Sequence, residues 1–531
     1  MAFVSFPFII LVALTAIVYF LVPKRFQWSV LLVASYVYFW INSEWLVVWL
    51  LLTTLITFFT GRCIDIISKK GKAYIADHAE ELTAKDRKAY KAKTKKKTKF
   101  VMLTGVFLVL GILVCMKYFN FFAGNANLLL TKIGFKLPTF KFLLPLGISF
   151  YTLQALAYMI DIYRGKYEAD KHIGKFMLFM SYFPQIVQGP IARYNQLANQ
   201  FYKEHSFDYN RVMQGIQLIV WGWMKKTIIA DRIAIPTSEI FDNYTQYSGI
   251  MIFLGAAFYG LQVYADFSGG MDIARGVSQI FGIELELNFK QPYFSTSVED
   301  FWRRWHITLG GWMRDYIFYP LSLSKNFGKL SKQSRKIFGD FVGKRLPAFL
   351  AMFIVYFLVG FWHGPNWTYI VYGIWNGVFI VMGILLEEVY VKCRQKCGIS
   401  DVSFTWRMFQ ILRTFSIISL GRLFSNAKTL GASLGMFKLM TVKWYDLSAL
   451  VDGTLTKLGL DTANWIVLAI FVVILLVVDN LHEKGVNIRE SIASQNIIFR
   501  WIIYYGAILA ILIFGMYGPG YDSAGFIYEQ F

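Results

Sequence analysis

The sequence predicts an all-α integral membrane protein of many spans, with re-entrant segments and a tunnel or funnel in its middle section. Three observations predict it. Of 531 residues, 56% are hydrophobic and 16% charged, and mean hydropathy is +0.46, outside the range of ordinary soluble enzymes. Apolar stretches of spanning length recur from end to end. Between them, the middle third is broken repeatedly by Gly, Pro and stranded polar residues, which membrane depth tolerates only where the backbone is buried in protein or lines a wet cavity.

The stretches 6–22, 101–122, 348–361, 465–478 and 497–514 illustrate the spans. Crossing roughly 30 Å of hydrocarbon takes about 20 apolar residues, and the pattern suggests about eleven crossings, with shorter segments that re-enter or lie at the interface. Segment 6–22 lacks a basic flank and a small-residue cleavage site, so it reads as a retained helix rather than a signal peptide. The net charge of +21 is concentrated between spans rather than in a nucleic-acid-binding domain. Residues 62–99 hold its densest run, including Lys93, Lys95, Lys96, Lys97 and Lys99. The positive-inside rule places this hairpin in the cytoplasm, against anionic lipid. Alternation then puts the N-terminus and residues 517–531 outside the cell, and the basic stretches 164–175, 325–345, 392–396 and 483–500 inside. The four cysteines form neither a disulfide framework nor a zinc set, and no metal is expected.

One polytopic domain over 1–531 is expected, with 62–99 as the basic hairpin, 143–377 as the catalytic core and 518–531 as an extracytoplasmic motif. The core strands polar groups among apolar ones. Gln185 and Gln188 lie in a Pro- and Gly-bounded stretch, and Asp266, Ser268 and Asp272 follow Tyr264. Each alone is explained by an interhelical hydrogen bond worth about 1 kcal/mol; together they suit a tunnel lining.

Two of the six histidines stand apart. His306 lies in Phe301-Trp-Arg-Arg-Trp-His-Ile-Thr-Leu309, where Glu299–Arg303 and Asp300–Arg304 are i, i+4 pairs and Gly310-Gly311 should break the helix that follows. His363 lies in Phe361-Trp-His-Gly-Pro-Asn-Trp367, at the end of an apolar run that Gly364-Pro365 should terminate. An imidazole at membrane depth is a candidate functional group, and its ordinary pKa near 6.5 suits a general base. No His-x-x-x-His pair accompanies either, and no Gly-x-Ser-x-Gly elbow is present.

These two segments closely resemble the signatures of the membrane-bound O-acyltransferase family. The stretch from Pro184 to Tyr194, Tyr264-Ala-Asp-Phe-Ser-Gly-Gly270 and Phe526-Ile-Tyr-Glu-Gln-Phe531 are similar to its bacterial branch that O-acylates exported polysaccharides, nearer the alginate O-acetyltransferase type than the shorter D-alanyl type. The resemblance implies a His-dependent acyltransferase with His363 as the catalytic histidine and His306 in the second active-site position. It implies an acetyl-CoA or other acyl-thioester donor from the cytoplasm, an acceptor from outside, and an esterase-like extracytoplasmic partner. It also implies a multi-helix ring around a central tunnel. His306 or Asn366 could supply the oxyanion donor, and Lys225, Lys226 and Arg232 are candidate contacts for the donor's phosphates. Tyr528 is a candidate acyl carrier or partner contact. Broken helices are shared with transporters and flippases, the alternative reading, but those usually show paired halves with matching interruptions. None are evident.

Overall fold

The computed structural model describes residues 1–444, 447–517 and 526. Helices dominate, and among the described residues there is no strand beyond a single bridged pair, Phe289 with Trp305. Among the described residues, seven helical segments are long and apolar enough to cross a membrane: Lys24–Asp77, Ala84–Ile133, Gly249–Ile280, Lys325–His363, Trp367–Lys396, Thr462–Glu483 and Ile497–Phe514. Two shorter apolar helices, Phe6–Leu21 and Leu430–Val442, join them. The sequence reading of about eleven spans counts crossings, and one segment here holds more than one helix: Lys24–Asp77 comprises Gln27–Ser43 and Val47–Asp77. The two meet at Glu44, where φ is +45°.

The described residues group into two compact units. The first comprises Met1–Gly215 and Val277–Glu286, the second Ile216–Gly276 and Leu287–Phe531. The expected core, 143–377, contributes to both.

In the first unit, α1 (Phe6–Leu21), α2 (Gln27–Ser43), α3 (Val47–Asp77), α4 (Ala84–Leu113) and α5 (Phe119–Leu130) precede the buried α6 (Ile148–Arg164) and three short helices, α7 (Ile173–Ser181), α8 (Phe183–Ile186) and α9 (Tyr194–Phe201). The basic hairpin is the continuation of α3 and α4, closed by a turn at 78–83. Thr83 caps α4 by accepting from the Asp86 N–H at 3.2 Å, which satisfies one of the orphan donors of the first turn. Helix α3 approaches α6 at Gly61, where a Cβ would stand 2.7 Å from the Tyr158 ring. Small residues at such crossings let helices pack closely where no hydrophobic effect drives them together.

The chain enters the second unit within α10 (Tyr209–Trp223). It continues through α11 (Asp231–Asp242), α12 (Gly249–Ile280), the short pair α13 (Val298–Arg304) and α14 (Ile307–Met313), and α15 (Tyr319–Ser322). The long antiparallel neighbours α16 (Lys325–His363) and α17 (Trp367–Lys396) follow, then α18 (Phe404–Asn426), α19 (Leu430–Val442), α20 (Thr462–Glu483), α21 (Ile488–Ala493) and α22 (Ile497–Phe514). Three widened, π-helical turns interrupt the regular winding, at Val114–Tyr118, Met224–Ala230 and Arg314–Phe318; such turns are frequent at functional sites.

Candidate active site

His363 ends α16. The next residue, Gly364, is extended at φ 175° and ψ 160°, and Pro365 cannot continue a helix, so the imidazole sits at the last turn as the sequence predicts. Its placement depends on how closely α17 returns. A Cβ on Gly373 would overlap the Tyr356 carbonyl oxygen and meet Gly360 at 3.0 Å, so the two backbones touch one turn before His363. Asn366 starts α17: its Oδ1 accepts from the Thr368 N–H at 3.0 Å. The side chain of this exposed residue therefore has a capping role in addition to any role at the site.

His306 is mounted differently. It lies between α13 and α14 with φ +48° and ψ +52°, a left-handed conformation uncommon outside glycine and costing roughly 1–2 kcal/mol. The expected break at Gly310-Gly311 is not found; both glycines lie inside α14, and the chain reverses at His306 instead. The extended segment before α13 enforces this. Lys290 N–H donates to the Arg304 carbonyl at 2.9 Å and Ile307 N–H to the Asn288 carbonyl at 3.0 Å. The Asn288 side-chain oxygen then accepts from Thr308 N–H and Thr308 Oγ1–H, both at 2.9 Å, capping α14 in place of a local residue. Asn288 also reaches the imidazole: its Nδ2 is 3.1 Å from His306 Nδ1.

The α13 mount is held from both sides. Arg304 pairs with Asp300 at 3.0 Å and with Glu483 at 2.7 Å, and Arg303 pairs with Glu299, so the i, i+4 spacing does pair these charges. Trp305, 1% exposed, stacks on Phe301 at 5.3 Å with the Arg422 guanidinium over its ring at 4.6 Å.

The two imidazoles converge on Trp362. His306 lies 5.6 Å from its ring and His363 5.2 Å, centroid to centroid. Phe267 closes on His306 at 4.9 Å, and Tyr372 on His363 at 5.9 Å. Both histidines are buried. Burial, and secondarily His363, hold the His306 imidazole well below the usual histidine range, so it is neutral near pH 7.

Lys225 and Lys226, expected near the donor's phosphates, are buried in the widened turn Met224–Ala230 and have internal carboxylate partners. Lys226 lies 2.8 Å from Asp231 and 2.7 Å from Asp266; Lys225 lies 2.6 Å from Asp272 and 2.8 Å from Ser268 Oγ. A buried ammonium requires such a counter-charge, and a phosphate would have to displace it. Arg232 donates to Asn464 Oδ1 at 2.9 Å, to the Ile228 carbonyl at 2.9 Å and to the Phe514 carbonyl at 2.7 Å.

Two described residues after α22 touch the same turn. Met516 N–H donates to the Thr227 carbonyl at 3.0 Å, and Phe526, wholly buried, puts its ring 4.7 Å from Lys226 Nζ. Tyr528 lies outside the described residues. Gln185 and Gln188 belong to the first unit, at 4% and 0% exposure. Neither amide atom of Gln188 has a hydrogen-bond partner there, as suits a side chain reserved for water or a ligand. A cavity of 360 Å³ between α17 and α18, lined by Glu299, Glu387, Arg394, Arg413 and Thr414, includes neither histidine.

Residues 5–427 match the membrane-bound O-acyltransferase family. The chain belongs to that family. The probable alginate O-acetylase of Pseudomonas aeruginosa is 30% identical over 481 residues, 90% of this chain and 81% of that protein. Its counterpart in Pseudomonas syringae is 32% identical over 369 residues, 69% of this chain and 65%, just under two thirds, of the relative's own length. The peptidoglycan O-acetyltransferase of Helicobacter pylori is 31% identical over 368 residues, 64% of each chain. Asn288 is the site residue that sequence reasoning missed; Asn-Phe before Lys290 carries no local sign of an amide that caps a helix eighteen residues on.

Proposed function

We propose that this membrane O-acyltransferase moves an acetyl or similar acyl group from a cytoplasmic thioester, such as acetyl-CoA, to a hydroxyl, for O-acylation of an exported polysaccharide. The observation that carries the reading is the convergence of two buried imidazoles on Trp362, at 5.6 and 5.2 Å. His363 is the general base. It takes the proton of the acceptor hydroxyl as that oxygen attacks the thioester carbonyl carbon, a contribution of about 10²–10⁴-fold. His306 donates a hydrogen bond to the carbonyl oxygen as negative charge develops there. Collapse of the tetrahedral intermediate breaks the carbon–sulfur bond, and the departing thiolate takes the proton from His363. One ester and one thiol result.

The acceptor proposed is Tyr528, on the resemblance of the C-terminal motif. Phe526 of the same motif is buried with its ring 4.7 Å from Lys226 Nζ. A phenol with pKa about 10 needs a base to act as nucleophile, and His363 supplies it. An esterase-like partner outside the cell then receives the group, and relatives named for alginate and peptidoglycan acetylation favour a cell-envelope glycan as the final acceptor. Labelled acetyl-CoA supplied to membranes tests this: wild-type protein should transfer label to polymer, and Tyr528→Phe should not. Normal polymer acylation by that variant would eliminate the carrier.

The orientation follows from the basic hairpin, which belongs in the cytoplasm with the chain's two ends outside. Single cysteines at Lys93 and Ser523 should react oppositely with an impermeant thiol reagent on intact cells. Labelling at position 93 from outside would reverse the assignment.

A further inference from the structure

His306 can present either ring nitrogen as its proton donor, and which one it presents decides what it does. A neutral imidazole carries one N–H; the nitrogen without it is an acceptor. The environment of Nδ1 settles the choice. The amide of Asn288 cannot be turned over, because the backbone N–H of Thr308 lies 2.9 Å from its Oδ1; flipping would set an NH2 group against that N–H. Oδ1 also receives the Thr308 hydroxyl at 2.9 Å. Its two lone pairs are then both engaged. Nδ2, at 3.1 Å from His306 Nδ1, still has protons to give and no lone pair to receive one. An N–H on Nδ1 would point at that NH2 and at an oxygen, 3.2 Å away, that already accepts twice. Nδ1 therefore accepts, and the proton resides on Nε2.

We propose that Asn288 is a positioning residue that fixes His306 as its Nε2–H tautomer, so that this imidazole serves as a hydrogen-bond donor to the reacting acyl group and not as a second base. The inference rests on the acyl-transfer reading given above. Asn288 touches no reacting atom; it acts through His306. The same amide caps α14, so the donor's protonation and the reversal of the chain at His306 are set by one side chain, itself 1% exposed. The opposite nitrogen then carries the ring's one proton, in a ring whose centroid lies 5.6 Å from that of Trp362.

Asn288→Asp tests it, since it keeps the shape and exchanges the NH2 for a second acceptor oxygen. The carboxylate draws the imidazole proton to Nδ1 and leaves Nε2 bare. Transfer should fall about 10²-fold in kcat, with the KM for the thioester changed less than about 3-fold. A purely structural cap would also lower activity, so the decisive measurement is the same change made in His306→Gln. A glutamine amide nitrogen stands where Nε2 does, is always a donor, and has no tautomer to lose. In that background Asn288→Asp should cost under about 2-fold, a non-additivity that reports direct coupling. Any cost of a buried carboxylate to folding is common to both backgrounds and cancels. Should the carboxylate prevent folding altogether, Asn288→Ala frees the tautomer and should cost several-fold with histidine at 306 and nothing further with glutamine. Wild-type kcat in Asn288→Asp, or equal losses in the two backgrounds, overturns the proposal. Full transfer by His306→Ala would instead overturn the underlying role of His306, a different and separable failure.

Discussion

His363 and His306 meet the same tryptophan from mounts that share almost nothing. His363 is the last residue of the helix that runs on from a break at Gly339, where φ is +73°, placed by a backbone-to-backbone crossing at Gly360 and Gly373 and flanked by aromatic rings. His306 is a left-handed joint between two seven-residue helices, fixed by an amide, an antiparallel pair of backbone bonds and a network of Arg304, Asp300 and Glu483. The difference suits the two kinds of work proposed for them. A base must gain and lose a proton within one turnover, and the end of α16, where His363 sits, presents the negative pole of a helix to the charged ring. A hydrogen-bond donor must be aimed before the charge appears, and a fully determined mount avoids reorganisation at that moment.

The comparison is most easily broken by substitution at the two rings. His363→Ala should lower transfer to background, a loss of order 10²–10⁴, with protein levels in the membrane near normal. His306→Ala should lose about 10²–10³, the cost of one oxyanion donor, and His306→Gln should recover part of it where His363→Gln recovers none. Rates of label transfer from acetyl-CoA in purified protein decide this; a larger loss at 306 than at 363 would reverse the roles. A smaller effect tests the mount of His363. Gly373→Ala forces α16 and α17 apart and should cost about 1–3 kcal/mol of stability, as other overpacking does, with a several-fold drop in rate. A lowered midpoint of thermal unfolding in detergent would show it, and unchanged stability and rate would mean that the crossing does not place the ring.

How far the sequence foretold this follows the range of each interaction. The end of α16 at His363 is local, set by Gly364-Pro365, and was legible. So were the Glu299–Arg303 and Asp300–Arg304 pairs and the helical hairpin of 62–99, since all depend on neighbours four residues apart or on one charged run. The left-handed joint at His306 was not. Its cause is Asn288, eighteen residues away, and the visible glycine pair that follows drew the break to the wrong place. The partners of Lys225 and Lys226 were hidden for the same reason: Asp266 and Asp272, which pair with them, lie some forty residues on.

The widened turn Met224–Ala230 has a further consequence, for helix phase. A π turn holds one residue more than ordinary winding, and each residue of an α-helix advances the face by about 100°. Deleting a single codon from 224–230 would tighten the turn to ordinary winding and leave the downstream phase in place, so that Arg232 still faces the Phe514 carbonyl. The same deletion in the regular turns on either side would rotate everything beyond it by that angle. The extra residue is thus a buffer for the azimuth of a whole helix, and a deletion scan through α10 and α11 should show its mildest loss at this turn.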